Sequence, residues 1–375
     1  MSLKYTLSEK ILHFKQPAGT SRGVYTTRKI WLIHLSDGQR TGVGECAPLP
    51  DLSCDALPDD EYASTLNKFC DDFCKALEGH NGDWHQCAIC DGTVRACPQC
   101  VLSIVPALRD YPSMLFGLET ALLNFQNGDR LFDTAFSRGE TGIPINGLVW
   151  MGNHEEMLQR LEEKLAKGFR CVKLKIGAID FDQELDLIKR IRDCFSFHEV
   201  ELRVDANGAF PYDEALYKLE LLSQYNIHSI EQPIRQGQWA FMADLCRESP
   251  LPIALDEELI GVNDPEMKRH MLNIIKPRFI ILKPSLHGGM SGCREWIDIA
   301  RDMGIGSWIT SALESNVGLN AIAQFAASLY GDHITMPQGL GTGQLFTDNI
   351  PMPLEVVNDR LTIKTEEQFK DIITD

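Results

Sequence analysis

From residue 144 onward the chain repeats one rhythm: a short apolar run, then an amphipathic stretch. Residues 145–150 are the first apolar run. Leu158, Leu161 and Leu165 then fall at helical spacing, and Gly168 closes that helix. The next apolar run is 171–176, followed by a helical stretch carrying Leu185, Ile188 and Ile191. Residues 202–205 follow, then a helix with Leu216, Leu219 and Leu222. Further strands are expected at 228–231, 252–256, 279–283 and 306–310. Strands alternating with helices build a parallel sheet, and seven or eight such units in ~190 residues favour a closed barrel over an open sheet.

The first 140 residues follow another pattern. Residues 24–35 predict a strand, Ser36-Asp37-Gly38 a hairpin turn, and 41–47 the returning strand, which Pro48 and Pro50 end. Residues 61–78 and 113–126 predict helices, the second with Leu118, Ala121, Leu122 and Phe125 on one face. Residues 78–100 are polar, cysteine-rich and without period. The expected organisation is a domain over 1–140 with an insert at about 80–100, a β/α barrel over 141–335, and a C-terminal segment, 336–375, returning to the first domain.

Composition narrows the function. The formal net charge of −17 disfavours nucleic acid, whose phosphates need a basic face. It leaves room for a small anionic carboxylate substrate, because a few lysines and a metal reverse the field inside one cleft. No apolar run approaches the ~18–20 residues that span a bilayer. Residues 1–16 alternate charged and apolar positions and do not resemble a signal peptide. A cytoplasmic enzyme with its 12 cysteines as thiols is therefore expected. No Gly-x-Gly-x-x-Gly joins a strand to a helix, so no redox cofactor is suggested.

Barrel chemistry gathers at the carboxyl ends of strands, and charge recurs at those ends here. Successive strands end Lys173-Leu174-Lys175, Arg203-Val204-Asp205-Ala206-Asn207, Glu231-Gln232-Pro233, Asp256-Glu257 and Lys283-Pro284. Residues two apart share a face of a strand, so Lys173 pairs with Lys175 and Arg203 with Asp205. Any one of these fits a strand-end ion pair; five strands in register do not. Asp205, Glu231 and Asp256 on adjacent strands suit a hard cation, Mg²⁺ or Mn²⁺, with the lysines balancing charge and moving protons.

Lys-x-Lys, Asp-Ala-Asn, Glu-Gln-Pro, Asp-Glu and Lys-Pro on successive strands resemble the muconate-lactonizing subgroup of the enolase superfamily. The resemblance implies a modified (β/α)₇β TIM-type barrel under an α+β capping domain, with residues 17–23 and 44–50 as specificity loops. Residues 202–210 and 310–319 are similar to the o-succinylbenzoate synthases. Those enzymes dehydrate 2-succinyl-6-hydroxy-2,4-cyclohexadiene-1-carboxylate in menaquinone biosynthesis. Carried over, Lys175 takes the α proton and then helps hydroxide leave. Lys283 stabilises the enediolate, Lys173 and Arg203 neutralise carboxylate charge, and Asn207 and Glu257 orient the metal ligands. Ser311, Glu314 and Ser315 either shape the pocket for the succinyl tail or form a turn and helix cap after the seventh strand. A dipeptide epimerase or N-acylamino acid racemase would use the same lysines, but the Asp-x-Asp expected at the eighth strand of an epimerase is missing: only Asp332 precedes 333–337. A non-catalytic binding protein on the same barrel is the third reading.

Cys87, Cys90, Cys97 and Cys100 form two Cys-x₂-Cys pairs. Four thiolates so spaced can hold a structural Zn²⁺, with His80 or His85 as substitutes, or stay as free thiols.

Overall fold

The computed structural model describes residues 3–20, 23–78 and 98–364. It bears out the expected class, an α+β cap on a parallel barrel. The cap opens with an antiparallel sheet of β1 (Lys4–Thr20), β2 (Gly23–Ser36) and β3 (Thr41–Cys46). Behind it lie α1 (Asp59–Glu78), α2 (Gln99–Ile104) and α3 (Pro112–Asn127). Helix α3 lies so close to β3 that a Cβ on Gly44 would sit 1.9 Å from the Gly117 carbonyl oxygen. Only glycine permits that approach.

The alternation along β2 explains how the cap sits. Trp31, Ile33 and Leu35 face the helices and join Tyr62, Phe73 and Leu118 in the cap core. Ile30 and Leu32 face the other way, into a separate apolar cluster with Leu49, Leu286, Ala312 and Leu313. One sheet thus has two buried faces, one for its own helices and one for the barrel mouth.

The chain then adds β4 (Ile143–Pro144) and enters the barrel at β5 (Gly147–Val149). Helix α4 (His154–Ala166) starts with a capping box between Asn153 and Glu156. It is followed by β6 (Cys171–Lys175), α5 (Phe181–Cys194), β7 (Glu201–Asp205), α6 (Tyr212–Ser223), β8 (Ser229–Glu231) and α7 (Trp239–Glu248). The second half runs β9 (Ile253–Leu255), α8 (Pro265–Ile275), β10 (Phe279–Leu282), α9 (Gly289–Asp302), β11 (Gly306–Ile309) and α10 (Asn316–Tyr330). Strands β5 to β11 are hydrogen-bonded in sequence order. Gln338 and Gly339 close the ring as an eighth stave, bridging in parallel to Ile145 and Thr310. A Cβ at Gly339 would lie 1.9 Å from the Thr310 hydroxyl, so the closing stave needs glycine there. Beyond it, Lys15 N donates to Leu345 O (2.8 Å) and Thr347 N to His13 O (2.9 Å), which ties this segment to β1. Strand β12 (Leu354–Val357) pairs with β13 (Arg360–Ile363), and β13 pairs with β4.

Cys87, Cys90, Cys97, His80 and His85 lie outside the described residues, and so does the zinc site read from them. Cys100 sits on α2, buried in the cap core. Among the described residues no helix is long and apolar enough to cross a membrane.

Three carboxyl groups of the cap sit at helix N-termini, where unpaired backbone N–H groups favour an acceptor. Asp55 accepts from Ser113 N (2.8 Å) and Ser113 Oγ (2.6 Å) at the start of α3. Glu119 accepts from Met290 N and Ser291 N at the start of α9. Glu45 accepts from Ser315 N and Gly318 N (both 2.8 Å) at the start of α10. The last two dock the cap onto successive barrel helices.

Burial pushes Asp55 up to about 6 against the opposing pull of the Ser113 hydrogen bonds. The folded state therefore binds this proton more tightly than the unfolded chain, whose carboxyl titrates near 3.8. Its contribution is fully present below 3.8 and is lost as pH rises through about 6. Asp55→Asn keeps the acceptor and removes the titration. We expect its stability relative to the parent protein to rise by on the order of 3 kcal/mol between pH 4 and pH 7 in urea unfolding. An equal difference at both pH values would contradict this.

Candidate active site

The parallel register brings the charged strand ends together. Lys175 pairs with Asp205, and Asp205 with Glu231, so the three stand on one rung of the barrel. Asp256 follows β9, two residues beyond Ala254, the partner of Glu231. Lys283 follows β10. Strand β10 is the fourth stave on from β6 in an eight-stave ring, so Lys175 and Lys283 rise from opposite sides of the mouth.

The three carboxylates are almost fully buried: Asp205 and Asp256 are 0% exposed and Glu231 is 2%. Each meets an ammonium group. Lys173 Nζ lies 3.0 Å from Asp205 Oδ2 and 2.8 Å from Glu231 Oε2. Lys175 Nζ is 2.8 Å from the same Asp205 oxygen and donates to Asn207 Oδ1 at 2.6 Å. Lys283 Nζ pairs with Asp256 Oδ2.

The electrostatics follow from this pairing. Burial works against the Asp205 carboxylate, but Lys173 and Lys175 outweigh it and hold it well below the usual range. Glu231 is driven the other way, by burial and by the neighbouring Asp205 and Asp256 charges. Burial pulls Lys173 and Lys283 down, yet the carboxylates prevail and hold both ammonium groups above the ordinary lysine value.

As the side chains stand, no group of three or more His, Cys, Asp or Glu among the described residues is drawn together closely enough to hold a metal. The donor set nonetheless fits one. Glu231 Oε1 and Asp256 Oδ1 are buried and, among the described residues, have no hydrogen-bond partner. Such oxygens are costly unless a cation takes them.

Around them, Asn207 bridges the set. Its backbone N–H donates to Asp205 Oδ1 (3.0 Å) and its Nδ2 to Glu257 Oε1 (2.9 Å). Asn207 adopts φ 45° and Gln232 φ 40°, left-handed turns just after β7 and β8 that re-aim the chain at the mouth. The cavity above holds about 210 Å³ and is lined by Lys173, Lys175, Asp205, Asn207, Lys283 and Ser311 on its polar side. That is below the ~300–1,000 Å³ of sites for drug-sized ligands and suits a small acid.

Three of the residues read from the sequence go elsewhere. Arg203 does not neutralise the three carboxylates. Its Nε donates to Glu201 (2.7 Å), its Nη1 to Pro337 O (3.0 Å), and its guanidinium lies 4.4 Å from the Trp308 ring centroid. The two-residue alternation that pairs it with Asp205 also places it a layer deeper in the barrel. Glu314 and Ser315 do not line the cavity. Glu314 accepts from Ser285 Oγ and Ala312 N, and Ser315 caps α10 while donating to Glu45. They brace the turn after β11 rather than face the substrate.

Other residues were not anticipated. Trp150 lines the cavity with its ring centroid 5.9 Å from Lys175 Nζ. It lies at the end of the first barrel strand, where the strand-end rule had already pointed. His287 Nδ1 accepts from the Lys283 backbone N–H (2.8 Å) and fixes the start of that turn. Leu49 and Leu313 supply apolar wall. Nothing in the local sequence distinguishes His287 from an ordinary core position, whereas Leu49 falls in the expected loop 44–50 and Leu313 in the segment 310–319.

Comparison with known proteins agrees with this geometry. The family model described as enolase C-terminal domain-like matches residues 156–367. An o-succinylbenzoate synthase from Desulfotalea psychrophila is 47% identical over 369 residues, covering 95% of this chain and 97% of that protein. The crystal structure of MenC from Desulfotalea psychrophila superposes with a TM-score of 0.80 at 41% identity, covering 97% of this chain and 100% of that one. The dipeptide epimerase from Enterococcus faecalis, complexed with Mg and the dipeptide L-Leu-L-Tyr, superposes with a TM-score of 0.78 over 98% of both chains. At 17% identity that likeness speaks for the fold alone.

The new place of Arg203 has a measurable consequence. Arg203→Met removes the ion pair with Glu201 and the stack on Trp308. We expect a loss of about 2–4 kcal/mol in urea unfolding. We expect kcat/KM to stay within about fivefold of the parent, since the change lies outside the cavity. A large fall in activity without loss of stability would return Arg203 to the site.

Proposed function

The chain belongs to the enolase superfamily, and we propose that it is a divalent-metal-dependent lyase forming o-succinylbenzoate by dehydration of its succinyl-hydroxycyclohexadiene-carboxylate precursor. One observation carries this reading: lysines on opposite sides of a mouth walled by three buried carboxylates, in a chain near-identical in extent to a synthase of that name.

Asp205, Glu231 and Asp256 would hold the cation, Mg²⁺ or Mn²⁺. When bound, it stabilises negative charge developing on the substrate carboxylate. It also changes the charge balance. Three lysines now face three carboxylates; a dication turns the balance positive, even with Glu257 counted. A positive site favours the neutral form of a lysine and draws an anionic acid.

In this reading Lys175 Nζ takes the proton from the carbon α to the carboxylate. The same ammonium then gives that proton to the departing hydroxyl, which leaves as water, while the C–O bonding pair leaves with it. The α C–H electrons become the new ring double bond, and the ring is aromatic. Asn207 and Asp205 orient Lys175 from behind. Lys283 faces the substrate from the opposite side and stabilises the enediolate. Lys173 balances Asp205 and Glu231.

An epimerase would use the same two lysines. A specific contact disfavours it. Asp332, the lone acid near the eighth stave, accepts from Ala135 N (3.0 Å). It does not line the cavity, so no acidic pair there meets a substrate ammonium.

We expect the purified protein with Mg²⁺ to convert the precursor to o-succinylbenzoate, followed by the rise in aromatic absorbance. Lys175→Ala should lower kcat by at least ~10²–10⁴ with the fold intact. Epimerisation of Ala-Glu-type dipeptides with no turnover of the precursor would overturn the assignment.

A further inference from the structure

The apolar seam over the barrel mouth is built around one buried cation. Arg28 lies on the seam face of β2, two residues before Ile30, and is 3% exposed. Among the described residues no carboxylate lies within ion-pair distance of it; the buried carboxyls of Glu314 and Glu45 lie further off and offset its burial in part. Its hydrogen bonds go to four backbone carbonyls. Two belong to the turn after β3: Nη1 donates to Pro48 O and Nη2 to Ala47 O. Two belong to the segment after β11: Nε reaches Leu313 O at 3.3 Å and Nη2 reaches Ala312 O at 3.5 Å.

These are one turn from the cap and one from the barrel, and both wall the cavity. The first supplies Leu49, the second Ser311, Ala312 and Leu313. Leu313 holds φ 66°, a left-handed conformation that a leucine keeps only where its surroundings impose it. Its carbonyl is one of those Arg28 binds. Glu45 grips the same pair of segments from the other side through the start of α10.

Packing alone does not call for an arginine here. A buried guanidinium without a direct ionic partner is costlier than an apolar side chain of the same size. What the planar fork adds is direction, fixing two backbone segments relative to one another. Arg28 is itself absent from the cavity wall.

We propose that Arg28 is a positioning residue that sets substrate fit, holding the cap turn at 47–49 against the barrel turn at 312–313 and so shaping the apolar wall that receives the substrate's side arm. The identity of that arm, the succinyl group, rests on the function proposed above.

The test compares Arg28→Met and Arg28→Lys with the parent protein by steady-state kinetics on the precursor, with circular dichroism and urea unfolding on the same samples. For a folded Arg28→Met we expect KM to rise about tenfold or more, the scale of one lost charged hydrogen bond, with kcat changed far less. Arg28→Lys keeps the charge without the fork and should fall between. A folded variant with unchanged KM, or with kcat reduced at unchanged KM, would overturn the proposal. If Arg28→Met does not fold, Arg28→Lys decides on the same numbers. If neither folds, Arg28 serves stability and the proposal fails. A parent protein inactive on the precursor would instead refute the functional reading. The same KM comparison is then made on the dipeptide it does accept.

Discussion

The structure depends on three carboxylates placed where water cannot reach them. Asp205, Glu231 and Asp256 stand at the ends of β7, β8 and β9, buried and adjacent, and like charges so close are tolerated only with cations among them. Lys173, Lys175 and Lys283 supply those cations. The barrel makes the arrangement affordable, because its ladder register decides which side chains share a rung. Once Lys175, Asp205 and Glu231 are in register, little freedom remains for their heads. A divalent cation enters this balance as a competitor for the lysines' oxygens. Charge balance at the mouth therefore links folding to metal affinity.

The cap completes the site by a different principle. It sends carboxyl groups of Glu119 and Glu45 to the N-termini of α9 and α10, where helix N–H groups are ready to bond them. It lays the second face of its sheet on the mouth as an apolar seam. The cap thus docks on the same end of the barrel that carries the charged residues. The wall of the cavity is shared between two domains whose relative placement depends on a few buried polar contacts.

Much of this was legible in the sequence. Repeated apolar runs and amphipathic helices placed every barrel strand from β6 to β11 within about two residues, because period and punctuation are local signals. The charged strand ends followed from the barrel, since one topology rule assigns them all to one mouth. Strand β1 is not among the elements expected from the sequence, although charged and apolar positions alternate along its first half with period two. The start of the barrel was read as one run over 145–150, but the structure divides it between β4 and β5, with Ile145 bridging to the closing stave. Arg203, Glu314 and Ser315 show where sequence reading stops. Their types fit a pocket, but Glu314 and Ser315 fit a turn and helix cap equally well, and depth within the barrel and the path of the turn after β11 are tertiary facts. Arg28 carries no local mark at all. Only the two carbonyl-bearing turns, far apart in sequence, give it meaning.

Charge balance at the mouth is best tested by stability rather than turnover. Lys173→Met leaves Asp205 and Glu231 one ammonium short, so it should unfold more readily than the parent when divalent cations are chelated. Adding Mg²⁺ should raise the urea midpoint of both proteins, and that of Lys173→Met by more, because the cation then replaces a missing charge. Midpoints that do not respond to Mg²⁺ in either protein would contradict the account.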